Sequence, residues 1–203
     1  MCQGHRGEQV TTSMKNLLFF ILTVAMVVCS CSDGKKANPA EIPSDSIFNL
    51  PTKWYNQNGD SLHLRDLQGK TLVVVMIYTS CKTACPQLVA KMKTIESKIS
   101  RDMIGDVSLV LVSIDPATDT PDHLKSFAKT NNMDAPQWVF LTSNEHATQE
   151  FANVLAMKYK KISPIDFSHS NIISVFKPNG QLLSQEEGAI DVDKVVAAVK
   201  ESV

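Results

Sequence analysis

The order of apolar segments along the chain predicts an α/β domain with a central mixed sheet flanked by helices. Two apolar segments, the unbroken Leu72–Ile77 and Val107–Ile114 with its two serines, have the length and composition of strands covered on both faces. Each is followed by an amphipathic segment of helical period, the alternation that builds parallel strands. Near the C-terminus, Pro178-Asn179-Gly180 turns one strand back on another before a last helix, which adds antiparallel pairing.

The 203 residues suffice for one domain with a full core plus extensions. The first stretch reads as a targeting segment. Met14-Lys15-Asn16 precedes the largely apolar run Leu17–Val28, as in a signal peptide whose true start is Met14. That run falls short of the roughly 20 residues needed to cross a bilayer. It closes on Val28-Cys29-Ser30-Cys31-Ser32, which resembles a bacterial lipobox. Ser30 is the small residue such a site needs before its cysteine, so Cys31 is the expected lipidation site and 1–31 the leader. The alternative is a short transmembrane anchor. Either one tethers the domain to a membrane of the bacterial cell envelope, outside the cytoplasm.

Residues 32–46, polar and with two prolines, read as a flexible spacer, leaving 47–203 as the domain. Thr52–Arg65 forms an N-terminal hairpin around Asn58-Gly59, with His63 facing outward. Thr71–Tyr78 is the central strand. Pro86 suits the first position of the next helix, which makes Cys85 its N-cap and puts Cys81 in the loop before it. Leu88, Val89, Met92, Ile95 and Ile99 form the apolar face of that helix. The strand Val107–Ile114 leads into Asp115-Pro116-Ala117-Thr118-Asp119-Thr120-Pro121, where Thr120 caps a helix running to about Thr130 with His123 solvated in its first turn. Gln137–Leu141 is a short strand, and Ser143 or Asn144 caps a helix with Glu145 and a surface His146 in its first turn. Lys158-Tyr159-Lys160-Lys161 reads as a solvated basic face. Asp166-Phe167-Ser168-His169-Ser170 is a loop before the strand Asn171–Phe176; a strand near Gln181–Ser184 and a helix from about Asp191 close the chain.

A net charge of −1 without a long basic run argues against a nucleic-acid partner, and an aromatic content of 6% against a base-stacking platform. Of five cysteines, Cys2 and Cys29 would leave with the leader and Cys31 would carry lipid. Cys81 and Cys85 remain, too few for a disulfide framework in an oxidising compartment. That is the pattern of a site. A helix N-terminus favours thiolate over thiol there. On a regular helix, residues four apart have Cβ atoms roughly 5–6 Å apart, whereas a disulfide wants about 3.5–4.5 Å. The pair can therefore close a disulfide only from a looped geometry, and the wider spacing leaves room for a soft metal ion. On these grounds both chemistries stay open.

Thr79-Ser80-Cys81-Lys82-Thr83-Ala84-Cys85-Pro86, the segment Val112–Pro121, the lone Phe167-Ser168-His169-Ser170-Asn171 and Phe176–Leu183, in this order, resemble the Sco/SenC family. The resemblance covers roughly Ile47 to the C-terminus. It implies a thioredoxin-like fold and a membrane-tethered copper chaperone that binds the metal through Cys81, Cys85 and His169. It also implies a partner, the copper-centre subunit of cytochrome c oxidase or another copper protein. Thiolates suit Cu(I), and an imidazole also suits Cu(II). Family members commonly carry Asp directly before this histidine; here Ser168 stands there and Asp166 is the nearest acid, the expected partner that orients the imidazole. Lys82 stands where proline often follows the first cysteine, and Asp115 is expected beside the site. The rival is a thiol–disulfide oxidoreductase in which Cys81 and Cys85 are the catalytic pair and reduce cysteines of a partner. His169 discriminates, since disulfide exchange needs no third ligand. A peroxidase-like role on the same fold ranks below both.

Overall fold

The computed structural model describes residues 42–203, apart from 83, 164 and 165. The leader over 1–31, with Met14 and Cys31, lies outside the described residues, as does most of the 32–46 spacer. A single 3-10 turn, Ile47–Asn49, is followed by the hairpin of β1 (Lys53–Asn56) and β2 (Ser61–His63). Then come β3 (Thr71–Ile77), α1 (Ala84–Lys98), β4 (Val107–Ser113), α2 (Pro121–Thr130) and β5 (Trp138–Thr142). The rest is α3 (Glu145–Val154), β6 (Tyr159–Ser163), β7 (Asp166–His169), β8 (Ile172–Phe176), β9 (Leu182–Glu187) and α4 (Val192–Ser202).

Seven strands form one mixed sheet in the order β2-β1-β5-β4-β3-β8-β9. The three inner strands β5, β4 and β3 are parallel, because β4 and β5 are each reached from the strand before through a helical crossover. β1 and β8 run antiparallel to them, so the chain closes both flanks with hairpins. Every residue of β3 and β4 is buried, Ser108 and Ser113 included, as their largely apolar composition leads one to expect. Each such Val, Leu or Ile side chain stabilises the fold by about 1.5–3 kcal/mol when taken from water.

Two predicted caps fall into place: Thr120 accepts from the His123 amide and Asn144 from Ala147, while Asp191, near the expected start of the last helix, accepts from Asp193 and Lys194. His63, His123 and His146 are exposed.

Two features differ from expectation. Helix α1 starts at Ala84, so Cys85 lies in its first turn rather than at the N-cap. Pro86 is tolerated there because a first-turn amide has no partner within the helix in any case. Lys158, Lys160 and Lys161 are exposed, as the basic face required, but Tyr159–Ser163 and Asp166–His169 are strands that pair antiparallel, β6 on β7, outside the main sheet.

Ordered contact reaches back to Pro43. Ser46, buried, donates through Oγ to the Asn179 carbonyl (2.7 Å), and the Ile47 amide donates to the Gly180 carbonyl (3.0 Å). Gly180 has φ +81°, and a Cβ there would sit 2.7 Å from Phe48 Cδ2, so no other residue fits under this segment without displacing it.

Candidate metal centre

Two chain segments far apart in sequence meet beyond the C-terminal end of β3. The first is the turn into α1, closed by the Cys81 amide donating to the Tyr78 carbonyl (3.2 Å). The Cys85 amide, one of the orphan donors of the first helical turn, points at Cys81 Sγ (3.4 Å). The second is the end of β7, where His169 pairs with Tyr159 and its Nε2 lies 3.7 Å from Cys85 Sγ. Ligand atoms of Cys81, Cys85 and His169 all lie within 4.8 Å of one another. Both cysteines are buried thiols, and His169 is half-buried, so water reaches the cluster from the histidine side.

The imidazole is oriented by backbone. His169 Nδ1 lies 3.1 Å from the Ser170 carbonyl, which can only accept. The proton therefore sits on Nδ1 and the lone pair on Nε2 faces the sulfurs, as a metal-ligating imidazole needs. Asp166, the carboxylate expected in that orienting role, instead accepts the hydroxyl proton of Tyr78.

The thiolate-favouring effect of the helix end meets a stronger opponent. Burial pushes the Cys85 thiol well up, a backbone contact at Tyr78 pulls the other way, and the Cys81 side chain adds to the rise. Without a cation the sulfur keeps its proton. A soft cation replaces that proton on binding.

Of the two acids in the segment after β4, Asp119 is the one hydrogen-bonded to the cysteine loop. Its carboxylate accepts from the Thr79 amide (3.2 Å), the Thr79 hydroxyl and the Ser113 hydroxyl (2.6 Å), tying the start of the cysteine loop to the end of β4. It is completely buried. Asp115 is also buried but serves the turn: its carbonyl accepts from Thr118 and Asp119, and its amide donates to Ser113 Oγ. It lines a groove of about 590 Å³ together with Glu145, His146, Lys160 and Phe167. Lys82 is exposed. Tyr78 went unnoticed in the sequence as a site residue, although a tyrosine closing an otherwise aliphatic strand was the available signal.

Residues 43–203 match the family model described as SCO1/SenC. The chain belongs to the SCO1/SenC family. The SCO1 protein homolog of Bacillus subtilis (strain 168) is 26% identical over 182 residues, spanning 87% of this chain and 91% of the relative. Arabidopsis thaliana ScoI, solved with copper bound, superposes with a TM-score of 0.66 at 22% identity, over 76% of this chain and 99% of its own. BsSco, described as a Sco-family cytochrome c oxidase assembly protein with a disulfide switch, gives 0.67 at 27% identity, over 81% and 98%. The mixed α/β architecture is thus the thioredoxin-like fold that the sequence motifs implied. Among the described residues no helix is long and apolar enough to cross a membrane.

Proposed function

We propose that this protein is a membrane-tethered copper carrier of the bacterial cell envelope. It takes copper on Cys81, Cys85 and His169 and hands it to the copper-centre subunit of cytochrome c oxidase, or to another copper protein. The observation that carries this reading is the cluster of two sulfurs and an imidazole nitrogen within 4.8 Å. Two thiolates suit Cu(I), the added imidazole also suits Cu(II), and three donors leave a position open to an acceptor's ligand. Copper is cargo here, so an incompletely closed site is an asset. The copper-bound Arabidopsis relative and the oxidase-assembly role of BsSco support the same assignment. The tether rests on the leader, with lipid on Cys31.

A second reading has its own support. Cys81 and Cys85 are adjacent thiols, and BsSco is described with a disulfide switch. The pair could donate two electrons to a partner's disulfide and close its own.

Titration of the reduced protein with Cu(I) and Cu(II) tests the assignment. One tightly bound Cu(I) is expected, lost in Cys81→Ser and Cys85→Ser. His169→Ala keeps Cu(I) but loses the imidazole-nitrogen hyperfine coupling of the Cu(II) form. Tight binding that survives removal of both cysteines would sink the site. A wild type that binds no copper yet reduces disulfides efficiently would give the protein to the second reading.

A further inference from the structure

Tyr78 follows the aliphatic run of β3, is 2% exposed, and stands between the two halves of the metal centre. Its hydroxyl donates to Asp166. The Phe167 amide donates to the Asp166 carboxylate (3.0 Å) and, more weakly, to the Tyr78 oxygen (3.4 Å). On its other side the Tyr78 carbonyl accepts from the Cys81 amide (3.2 Å). The tyrosine ring packs on Phe167, with centroids 5.1 Å apart, and meets the His169 ring edge-on at 5.8 Å and 84°. Thus one residue touches Asp166, Phe167 and His169 on one strand through its side chain and Cys81 in the sulfur loop through its carbonyl. The ladder bonds of β7 go to β6 and not to the main sheet. A two-stranded sheet on its own is marginal in water.

We infer that Tyr78 is a positioning residue: its hydroxyl, held by Asp166, latches the β6–β7 hairpin to the cysteine loop and so sets how readily His169 reaches the sulfurs. Ser168 stands where a carboxylate would orient the imidazole directly, and the displaced acid acts on the hairpin instead. Burial, with help from the Asp166 bond, pushes the tyrosine hydroxyl well up, so it remains a donor at neutral pH. The latch bears unequally on the two oxidation states. Cu(I) is satisfied by two thiolates, whereas Cu(II) draws more on the imidazole. Breaking a hydrogen bond to a carboxylate should cost roughly tenfold to a hundredfold in His169 engagement, and hence in Cu(II) retention.

Tyr78→Phe keeps the ring and removes the hydroxyl. In the metal-free protein it is expected to raise amide exchange about tenfold or more at residues 166–169 while β3 and β4 stay protected. With metal, it is expected to lower Cu(II) affinity by the factor above and to weaken the imidazole hyperfine coupling, with Cu(I) stoichiometry unchanged. Asp166→Ala should reproduce both effects, Asp166→Asn, which keeps an acceptor, should restore most of them, and the double variant Tyr78→Phe/Asp166→Ala should be no worse than either single one. Wild-type exchange at 166–169 in Tyr78→Phe would overturn the latch, as would a uniform rise across the sheet, which marks general loss of stability. The copper readout rests on the carrier reading above and the exchange readout does not. A wild type that fails to take copper defeats that reading, while the exchange contrast still decides the latch.

Discussion

The two halves of the metal centre are built to different standards. The sulfurs hang from the end of β3, a strand buried along its whole length between β4 and β8. The imidazole comes from a separate two-stranded sheet in which three of the five β6 residues are exposed and Ile162 is 60% exposed. One half is a fixed cradle and the other a movable arm. A carrier must hold its ion and also let go. On the proposed carrier reading, placing the soft ligands on the core and the nitrogen on the periphery separates those duties: the sulfurs are the ligands that hold Cu(I), and the imidazole is the ligand that yields to an acceptor.

The contrast can be broken from the core side first. Leu111 is fully buried in β4, between Val75 and Phe140 on the neighbouring strands. Leu111→Ala should cost about 2–5 kcal/mol in urea unfolding, transfer and cavity effects together. Copper stoichiometry per folded molecule should be unchanged; a matching loss there would mean the cradle is not rigid.

A smaller effect is expected where the core meets the sulfur loop. Asp119→Ala removes the acceptor for Thr79 and Ser113 and should cost about 1–3 kcal/mol. The pH dependence sharpens this. Burial pushes the Asp119 carboxyl above its ordinary range, and its bonds to Ser113 and Thr79 pull it only part of the way back. The folded state therefore holds that proton more firmly than the unfolded chain. The group favours folding most below the usual carboxylate pKa of about 3.9, and its contribution declines as pH rises through the elevated folded value. Asp119→Asn keeps an acceptor and should flatten that slope in unfolding midpoints measured from acid to neutral pH.

The smallest effect belongs to the arm. Ile162→Ala should change global stability by no more than about 0.5 kcal/mol, since little area is lost from the core. A cost several times larger would show that the hairpin is part of the core after all.

The cradle was legible in the sequence and the arm was not, for the same reason. β3 and β4 are specified by burial on both faces, which leaves unbroken runs such as Leu72–Ile77. Capping residues are local chemistry, so Thr120 and Asn144 could be read one by one. The β6 strand, Tyr-Lys-Lys-Ile-Ser, has no buried face to impose alternation, and its lysines read as surface. His169 stood out by its motif, but its seat at the end of a strand did not. The bond from Tyr78 to Asp166 joins residues 88 apart, and nothing local to either announces it. Asp115 and Asp119 share one short segment, and only the packing of β4 against the sulfur loop decides which of them braces it.

The seat of Ser46 beneath Gly180 gives the molecule a polarity. β8 runs against β3, with Phe176 opposite Leu72, so the turn holding Ser46 lies at the pole of the sheet remote from Cys81, roughly 20 Å away along the strand. The Asn179 and Gly180 carbonyls fasten the first described residues at that pole, so the described chain enters the domain at the end opposite its metal centre.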